Sequence, residues 1–269
     1  MVGKRRKSRR GVVLAGSHQR CWLWGRNAVL ETLRAGRWKP FDVIVAERLE
    51  PSVRDEVTAL TASLGIELQK QPFDEITERC RSTEHQGLMA KMPEFPYASL
   101  DDVTAMKGDS TASPLVVVLD SVQDPHNFGA MIRSAEVLGA SGILVGERNQ
   151  SDVTPHVART SAGAVNYVPI ARVPDLPAAL STIRDRGLRI LGAAGEAEHE
   201  IRQLDCTGPL ALVIGNEGTG LSPELRGVCD QLVRIPQVGR TESLNAAVAA
   251  GILCYEVRRQ RSLTVERGA

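Results

Sequence analysis

LVVVLDSVQDPHNFGAMIRSAEVLGASGILVG, residues 115–146, decides the fold. Its first six residues, LVVVLD (115–120), are apolar almost without interruption, the pattern of a strand covered on both faces. DPHN (124–127) turns the chain into a helical run ending near Gly139, in which Met131, Ala135 and Leu138 recur at i, i+4 and i+7 as the inward stripe. Asn127 stands where an N-cap side chain accepts from the first free backbone N–H groups. GILVG (142–146) is a second buried strand. Outward from this unit, YVPI (167–170), LRILG (188–192), LALVIG (210–215) and LVRIP (232–236) repeat the theme. Strands alternating with helices predict an α/β domain with a mostly parallel sheet and helices on both faces. Ligands of such sheets lie beyond the carboxyl ends of the strands, which directs attention to the loops after residues 119, 192, 214 and 235.

Upstream, residues 22–95 read as a smaller α/β unit. Asn27 to Leu33 is helical, FDVIVA (41–46) is a buried strand, and Ser52 to Leu64 is a helix with Ser52 as its candidate cap. Gly65 to Leu68 and Gly87 to Ala90 are further strands. Pro93, Pro96 and Pro114, with Gly108 and several Ser and Asp between them, mark a linker. The expected order is a basic disordered tail at 1–20, a small domain at 21–95, a linker at 96–113, a large domain at 114–260 and a tail at 261–269.

Composition narrows the function classes. The 269 residues carry a formal charge of +1 and only ten aromatic side chains, too few for an RNA-binding module built on stacked aromatic platforms. The average hides an asymmetry: Lys4, Arg5, Arg6, Lys7, Arg9 and Arg10 fall in the first ten residues, and removing them leaves −5 for the rest. Such an arm attracts polyanions, or, being basic and free of acids, serves as a mitochondrial transit peptide. No run approaches the roughly 18 apolar residues of a membrane span. The cysteines (Cys21, Cys80, Cys206, Cys229, Cys254) are odd in number and far apart, which argues against a zinc site or a disulfide framework and fits a reducing cytoplasm. No metal-ligand spacing, GxSxG elbow or Walker A sequence occurs.

Three loops carry the chemistry. In DPHNFGAMIRSAEVLGA (124–140), Arg133 lies about 200° round the helix from Met131 and faces away from the apolar stripe. Position alone does not separate an arginine that holds a phosphate or orients a nucleophile from an ordinary solvated one. In LALVIGNEGTGLSPEL (210–225), a buried strand breaks into Gly215, Gly218 and Gly220 around Asn216 and Glu217. The spacing is GxxGxG, so a dinucleotide fingerprint is not supported. A carboxylate beside three glycines also disfavours a phosphate cradle; a tight turn into a Ser222–Pro223-capped helix is the plainer reading. In IPQVGRTESLNAAVAAGILCYEV (235–257), Ile235 ends a strand, and Ser243 and Asn245 open a helix. That helix is apolar nearly all round, through Leu244, Ala247, Val248, Ala249, Ile252, Leu253, Tyr255 and Val257. It must be buried on every side, in the domain core or at a subunit interface.

Together, and in this order, NFGAMIRSAEVLGA, LVIGNEGTGL and IPQVGRTESLNAAVAAGI resemble the three signature motifs of the SpoU (TrmH) branch of the SPOUT RNA methyltransferases. WLWGRNAVLETL (22–33) and EHQGLMAKM (84–92) are similar to the start and end of that family's L30e-like RNA substrate-binding domain. The resemblance implies a SPOUT α/β-knot, a trefoil-knotted, mostly parallel sheet that binds S-adenosylmethionine, and a homodimer that completes the site. It implies backbone contacts to the cofactor's adenosine from Gly215, Ile235 and Leu244. It makes Arg133 the central catalytic residue, with Asn127, Glu217, Ser243 and Asn245 positioning the substrate hydroxyl and shaping the arginine's surroundings. The layout, including GEAEHEIRQL (195–204), is most similar to members that methylate a guanosine 2′-hydroxyl in the peptidyl-transferase region of 23S rRNA. A tRNA or another rRNA site, or a non-catalytic RNA-binding assembly factor, are the alternatives. Arg240–Thr241–Glu242 is more charged than the small residues common there in the family, which bears on the target RNA.

Overall fold

The computed structural model describes residues 21–105, 113–241 and 243–268. They form two compact units, one of residues 21–96 with Val153–Arg159, the other of Tyr97–Asp152 with residues 160–268. The basic tail at 1–20 lies outside the described residues.

In the first unit β1 (Trp22–Trp24) leads into α1 (Arg26–Ala35), followed by β2 (Asp42–Ala46), α2 (Pro51–Leu64), β3 (Glu67–Gln71), α3 (Phe73–Cys80) and β4 (Leu88–Lys91). The sheet order is β1-β4-β2-β3, with only β2 and β3 parallel. The strand period of two sorts the core. Ile44, Ala46 and Met89 pack with Ile76 and Cys80 of α3. Val43, Val45, Leu88 and Ala90, one residue out of phase, are buried on the opposite face. Ser52 is not the cap of α2. Glu50 holds that place ahead of Pro51, and the Ser52 hydroxyl donates to the Glu50 carboxylate at 2.7 Å. The third strand starts at Glu67 because Gly65 ends α2 in the left-handed conformation, at φ +65°. Trp38 Nε1 donates to the Pro93 carbonyl at 3.2 Å and its ring meets Phe95 edge-on, which keeps residues 93–96 in this unit.

In the second unit α4 (Leu100–Thr104) precedes β5 (Leu115–Leu119), α5 (Pro125–Val137), β6 (Gly142–Gly146), β7 (Ile170–Val173), α7 (Leu176–Asp185), β8 (Arg189–Ala193) and β9 (His199–Glu200); α6 (Pro155–Thr160), between β6 and β7 in the chain, belongs to the first unit in all but its last residue. β10 (Leu210–Ile214), α8 (Pro223–Val228), β11 (Gln231–Arg234) and α9 (Ala246–Gly268) complete it. All seven strands are parallel, in the order β7-β6-β5-β10-β8-β11-β9. Strands β10 and β11 are thus threaded between strands formed earlier in the chain, the interleaving expected of a knotted sheet and not of a doubly wound one. Both faces are covered, as the unbroken apolar strands predict. Val116, Val118, Ala211 and Val213 pack under α7 and α8, while Phe128, Met131, Ile132 and Ala135 of α5 are buried.

Five expectations shift. Part of the expected linker, 96–113, is structured: Ser99 and Asp102 close a capping box on α4, and Val103 packs so tightly that a Cβ on Gly142 would lie 2.4 Å from its own Cβ. The strand expected at 167–170 begins at Ile170, three residues late, and the one expected through Ile235 stops at Arg234. Asn127 does not cap α5. Asp124 does, accepting from the His126 N–H at 3.0 Å, and Pro125 occupies the first helical position. Residues 261–268 are not a tail but the end of α9, where Arg261 donates to the carbonyls of Ser113 (2.6 Å), Gly208 (2.8 Å), Pro114 (3.2 Å) and Cys206 (3.3 Å).

Candidate active site

The three singled-out loops meet at the carboxyl edge of the parallel sheet. After β10 the chain doubles back: a Cβ on Gly215 would lie 2.2 Å from the carbonyl carbon of Gly220, so only glycine admits this approach. Asn216 and Gly220 exchange backbone hydrogen bonds of 3.0 and 2.9 Å, and Gly220 takes a φ of +69°. The Asn216 side chain braces the turn from within. Its Oδ1 accepts from the N–H groups of Gly218 (2.8 Å) and Thr219 (3.2 Å), and its Nδ2 donates to the Ser121 carbonyl at 2.8 Å. Asp120, buried at the end of β5, accepts from the Ser222 N–H at 2.9 Å and from the Ser121 hydroxyl at 3.0 Å. Both ends of the loop are therefore tied to β5, and Glu217 is held on its exposed turn.

Glu217 is reached by the other two loops. Its Oε1 accepts from Asn127 Nδ2 at 2.9 Å, and Asn127 Oδ1 accepts from Asn245 Nδ2 at 3.1 Å. Asn245 Oδ1 in turn accepts from the N–H groups of Ala247 (2.9 Å) and Val248 (3.2 Å), which makes Asn245 the cap of α9. One side chain from each loop thus joins a single hydrogen-bond chain fixed at a helix N-terminus.

Glu217 also lines a cavity of about 650 Å³, together with Gly215, Ile235, Ser243, Leu244 and the 193–196 turn after β8. The size suits a nucleoside-sized ligand. The lining suits one as well, with Ile214, Leu221, Val233, Ile235, Leu244 and Leu253 offering apolar surface between exposed backbone groups. Its charged side chains are Glu196, Glu217, Arg226 and Arg234. Arg234 is committed elsewhere, donating to the Ala197 carbonyl at 2.9 Å and lying 3.5 Å from Glu200. Arg226 pairs with Glu196 and holds its carboxyl below the usual carboxylate range. Glu217 has only an amide against it among the described residues.

Seven of the eight expected site residues fall in this arrangement. Arg133 does not. It is exposed on α5, lines neither the cavity nor the neighbouring groove, and has no ion pair or side-chain hydrogen bond among the described residues. That groove, of about 590 Å³, runs between α5 and α9 and is bordered by Asn127, Ala130, Ser134, Val248, Gly251 and Ile252. The final helix answers its all-round apolar pattern in two ways. Ala246, Ala250, Leu253, Cys254 and Val257 are buried in the unit, while Val248 (50%), Ile252 (38%) and Tyr255 (58%) stay exposed. Sequence reasoning passed over Asp120, Glu196 and Arg226. A charge closing an otherwise apolar strand is the available signal for Asp120, and Glu196 lies in the GEAEHEIRQL stretch; Arg226 carries none.

A family model described as the SpoU rRNA Methylase family matches residues 114–255, and one described as RNA 2′-O ribose methyltransferase substrate binding matches residues 22–98. The chain belongs to the SpoU (TrmH) family of RNA methyltransferases. Among SpoU relatives it is 37% identical over 246 residues to the putative TrmH family tRNA/rRNA methyltransferase YacO of Bacillus subtilis, covering 91% of this chain and 98% of that one. The SpoU methyltransferase AviRb of Streptomyces viridochromogenes, solved with AdoMet, superposes with a TM-score of 0.76 at 28% identity, over 90% of each chain. The AdoMet-bound rRNA methyltransferase of Sinorhizobium meliloti gives 0.76 at 30% identity, over 89% of this chain and 87% of that one. The SpoU family uses S-adenosylmethionine, and the cavity, with its apolar slot, backbone donors and a carboxylate free of any cation among the described residues, fits that cofactor.

Proposed function

We propose that this chain transfers a methyl group from S-adenosylmethionine to the ribose 2′-hydroxyl of a specific guanosine in the peptidyl-transferase region of 23S rRNA. The reading is carried by the Asn245–Asn127–Glu217 chain, which spans from the mouth of the α5–α9 groove to the cavity. When bound, S-adenosylmethionine supplies a methyl on a positively charged sulfur, a leaving group already activated. The protein has mainly to position the hydroxyl and stabilise the charge it develops. Gly215, Ile235 and Leu244 hold the adenosine through backbone groups at the apolar slot. Asn127, Ser243 and Asn245 would position the hydroxyl, and Glu217 would offer its carboxylate to the positive sulfur.

Arg133 supplies the remaining charge from a second copy of the chain. Its own position, away from the cavity, together with the exposed Val248, Ile252 and Tyr255 beside the groove, supports a homodimer in which α5 and α9 of each copy meet. Arginine stays protonated in proteins, so Arg133 stabilises the developing alkoxide and a neighbouring phosphate, and the hydroxyl proton passes to solvent water. The first unit, in residues 21–95, grips the RNA, and the work is done in the cytoplasm; among the described residues no helix is long and apolar enough to cross a membrane.

Labelled methyl transfer into unmethylated 23S rRNA, with the modified nucleotide mapped, tests the proposal; Arg133→Ala is the control. Ribose methylation at one guanosine is the expected result. Methylation of tRNA alone would select the second reading, which the tRNA/rRNA naming of YacO keeps in view. Absence of ribose methylation on any rRNA or tRNA would end both.

A further inference from the structure

The charges lining the cavity match S-adenosylmethionine more closely than its adenosine contacts alone require. The cofactor has three features at neutral pH: one positive sulfur, one α-carboxylate and one α-ammonium, the last two on the same carbon. The cavity presents one carboxylate with no cation against it among the described residues, Glu217, and one exchangeable ion pair, Glu196–Arg226. The other lining arginine, Arg234, is occupied by Ala197 and Glu200.

We propose that Glu196 and Arg226 form the receptor for the amino-acid end of the cofactor, Arg226 taking the α-carboxylate and Glu196 the α-ammonium. The inference rests on S-adenosylmethionine occupying this cavity. Binding exchanges one ion pair for two of the same kind, so no charge is left unpaired in the site. The exchange is easy because the pair is accessible, with side-chain exposures of 65% for Glu196 and 36% for Arg226, and a surface pair contributes little to the fold. The stems are firm. Leu225, beside Arg226, is buried in the core under α7, and Arg184 donates to the Val228 carbonyl at the end of α8. Glu196 sits on a tight turn closed by the Ala197 N–H to the Ala194 carbonyl at 3.2 Å, with Ala197 buried. A carboxylate alone would suit a ribose diol; the guanidinium facing it is what a zwitterion requires.

Calorimetry on the full chain with two ligands isolates this end of the cofactor. S-Adenosylhomocysteine and 5′-methylthioadenosine share the adenosine and the neutral thioether, and only the first carries the amino acid. Arg226→Met should weaken S-adenosylhomocysteine about tenfold or more, the scale of a lost charge-assisted contact, and leave methylthioadenosine within about twofold. Glu196→Gln should act the same way. The exchange of both charges, Glu196→Arg with Arg226→Glu, keeps an ion pair in place and should recover part of the selectivity, with an unchanged melting temperature. Equal weakening of both ligands would assign the pair to the ribose or to the loop scaffold and overturn the proposal, as would no change in either. A wild-type chain that bound neither compound would instead overturn the cofactor reading on which the proposal stands.

Discussion

Asn127 shows how a single side chain changes its meaning between sequence and structure. By position it reads as a helix cap, and local propensity supports that. Asp124, three residues earlier, takes the cap, and the amide of Asn127 is free to bridge Glu217 and Asn245. Asn127→Ala should lower the methyl-transfer rate about a hundredfold or more, the usual cost of losing a positioned polar group at a reacting centre, with cofactor affinity held within a few fold. Single-turnover methylation set beside calorimetry separates the two. His85 is a second residue with a measurable signature. It is buried, its Nδ1 accepts from the Gly87 N–H at 3.1 Å, and its Nε2 lies 2.9 Å from the Thr77 hydroxyl, so the neutral ring fits. Burial holds its pKa below the ordinary 6.5. The unfolded chain therefore binds the proton more readily, and the stability that neutral His85 contributes is present above about pH 6.5 and is lost as the pH falls below it. Melting curves between pH 7 and pH 5 should show this slope, and His85→Phe should flatten it.

At the scale of elements, the glycine loop and the final helix behave as units. The loop after β10 is tied down by Asp120, so Asp120→Ala strands the Ser222 N–H and should cost about 1–3 kcal/mol of stability, with a matching loss of cofactor affinity. Asp120→Asn keeps an acceptor and should restore most of both. Chemical denaturation and calorimetry on the two variants decide it. On α9, the exposed stripe carries its own test. Ile252→Glu buries a charge wherever a second copy covers that face, and should yield monomers in light scattering together with loss of methylation. Strands β5, β6, β8 and β10 were legible because their apolar runs are long enough to have no competing reading. The sequence places β7 three residues early because Tyr167 and Val168 satisfy a strand pattern while the chain there still turns. The double character of α9 is half legible: periodicity demands burial all round but cannot say that Val248, Ile252 and Tyr255 stay exposed.

Across the whole molecule, the alternation of strands and helices predicted a parallel sheet but could not predict its order. That β10 enters between β5 and β8, and β11 between β8 and β9, is set by tertiary packing that no window of sequence contains. Of the candidate site, the sequence motifs point to seven residues that the fold brings together and to Arg133, which it does not; the supports are not legible, since Asp120 and Ser222 are 102 residues apart and meet only in the folded sheet. Charge, by contrast, is a whole-chain property. The six basic residues among the first ten, set against a remainder of −5, predict that deleting residues 1–20 weakens RNA binding and flattens its salt dependence while leaving cofactor affinity as it was. Binding measured across a range of salt concentrations checks this; an unchanged slope would exclude the arm from the RNA contact.

The anchoring of Arg261 bears on when the protein can begin to work. A nascent chain that has just delivered the glycine loop after β10 has no opposite wall, because Ile235, Ser243, Leu244 and α9 have yet to be made. The last of these is buttoned to the carbonyls around the start of β5 only once residue 261 is free to reach them. Contacts between segments so far apart in the chain form late. Cofactor capture therefore waits until the segment through residue 261 has been made and has docked.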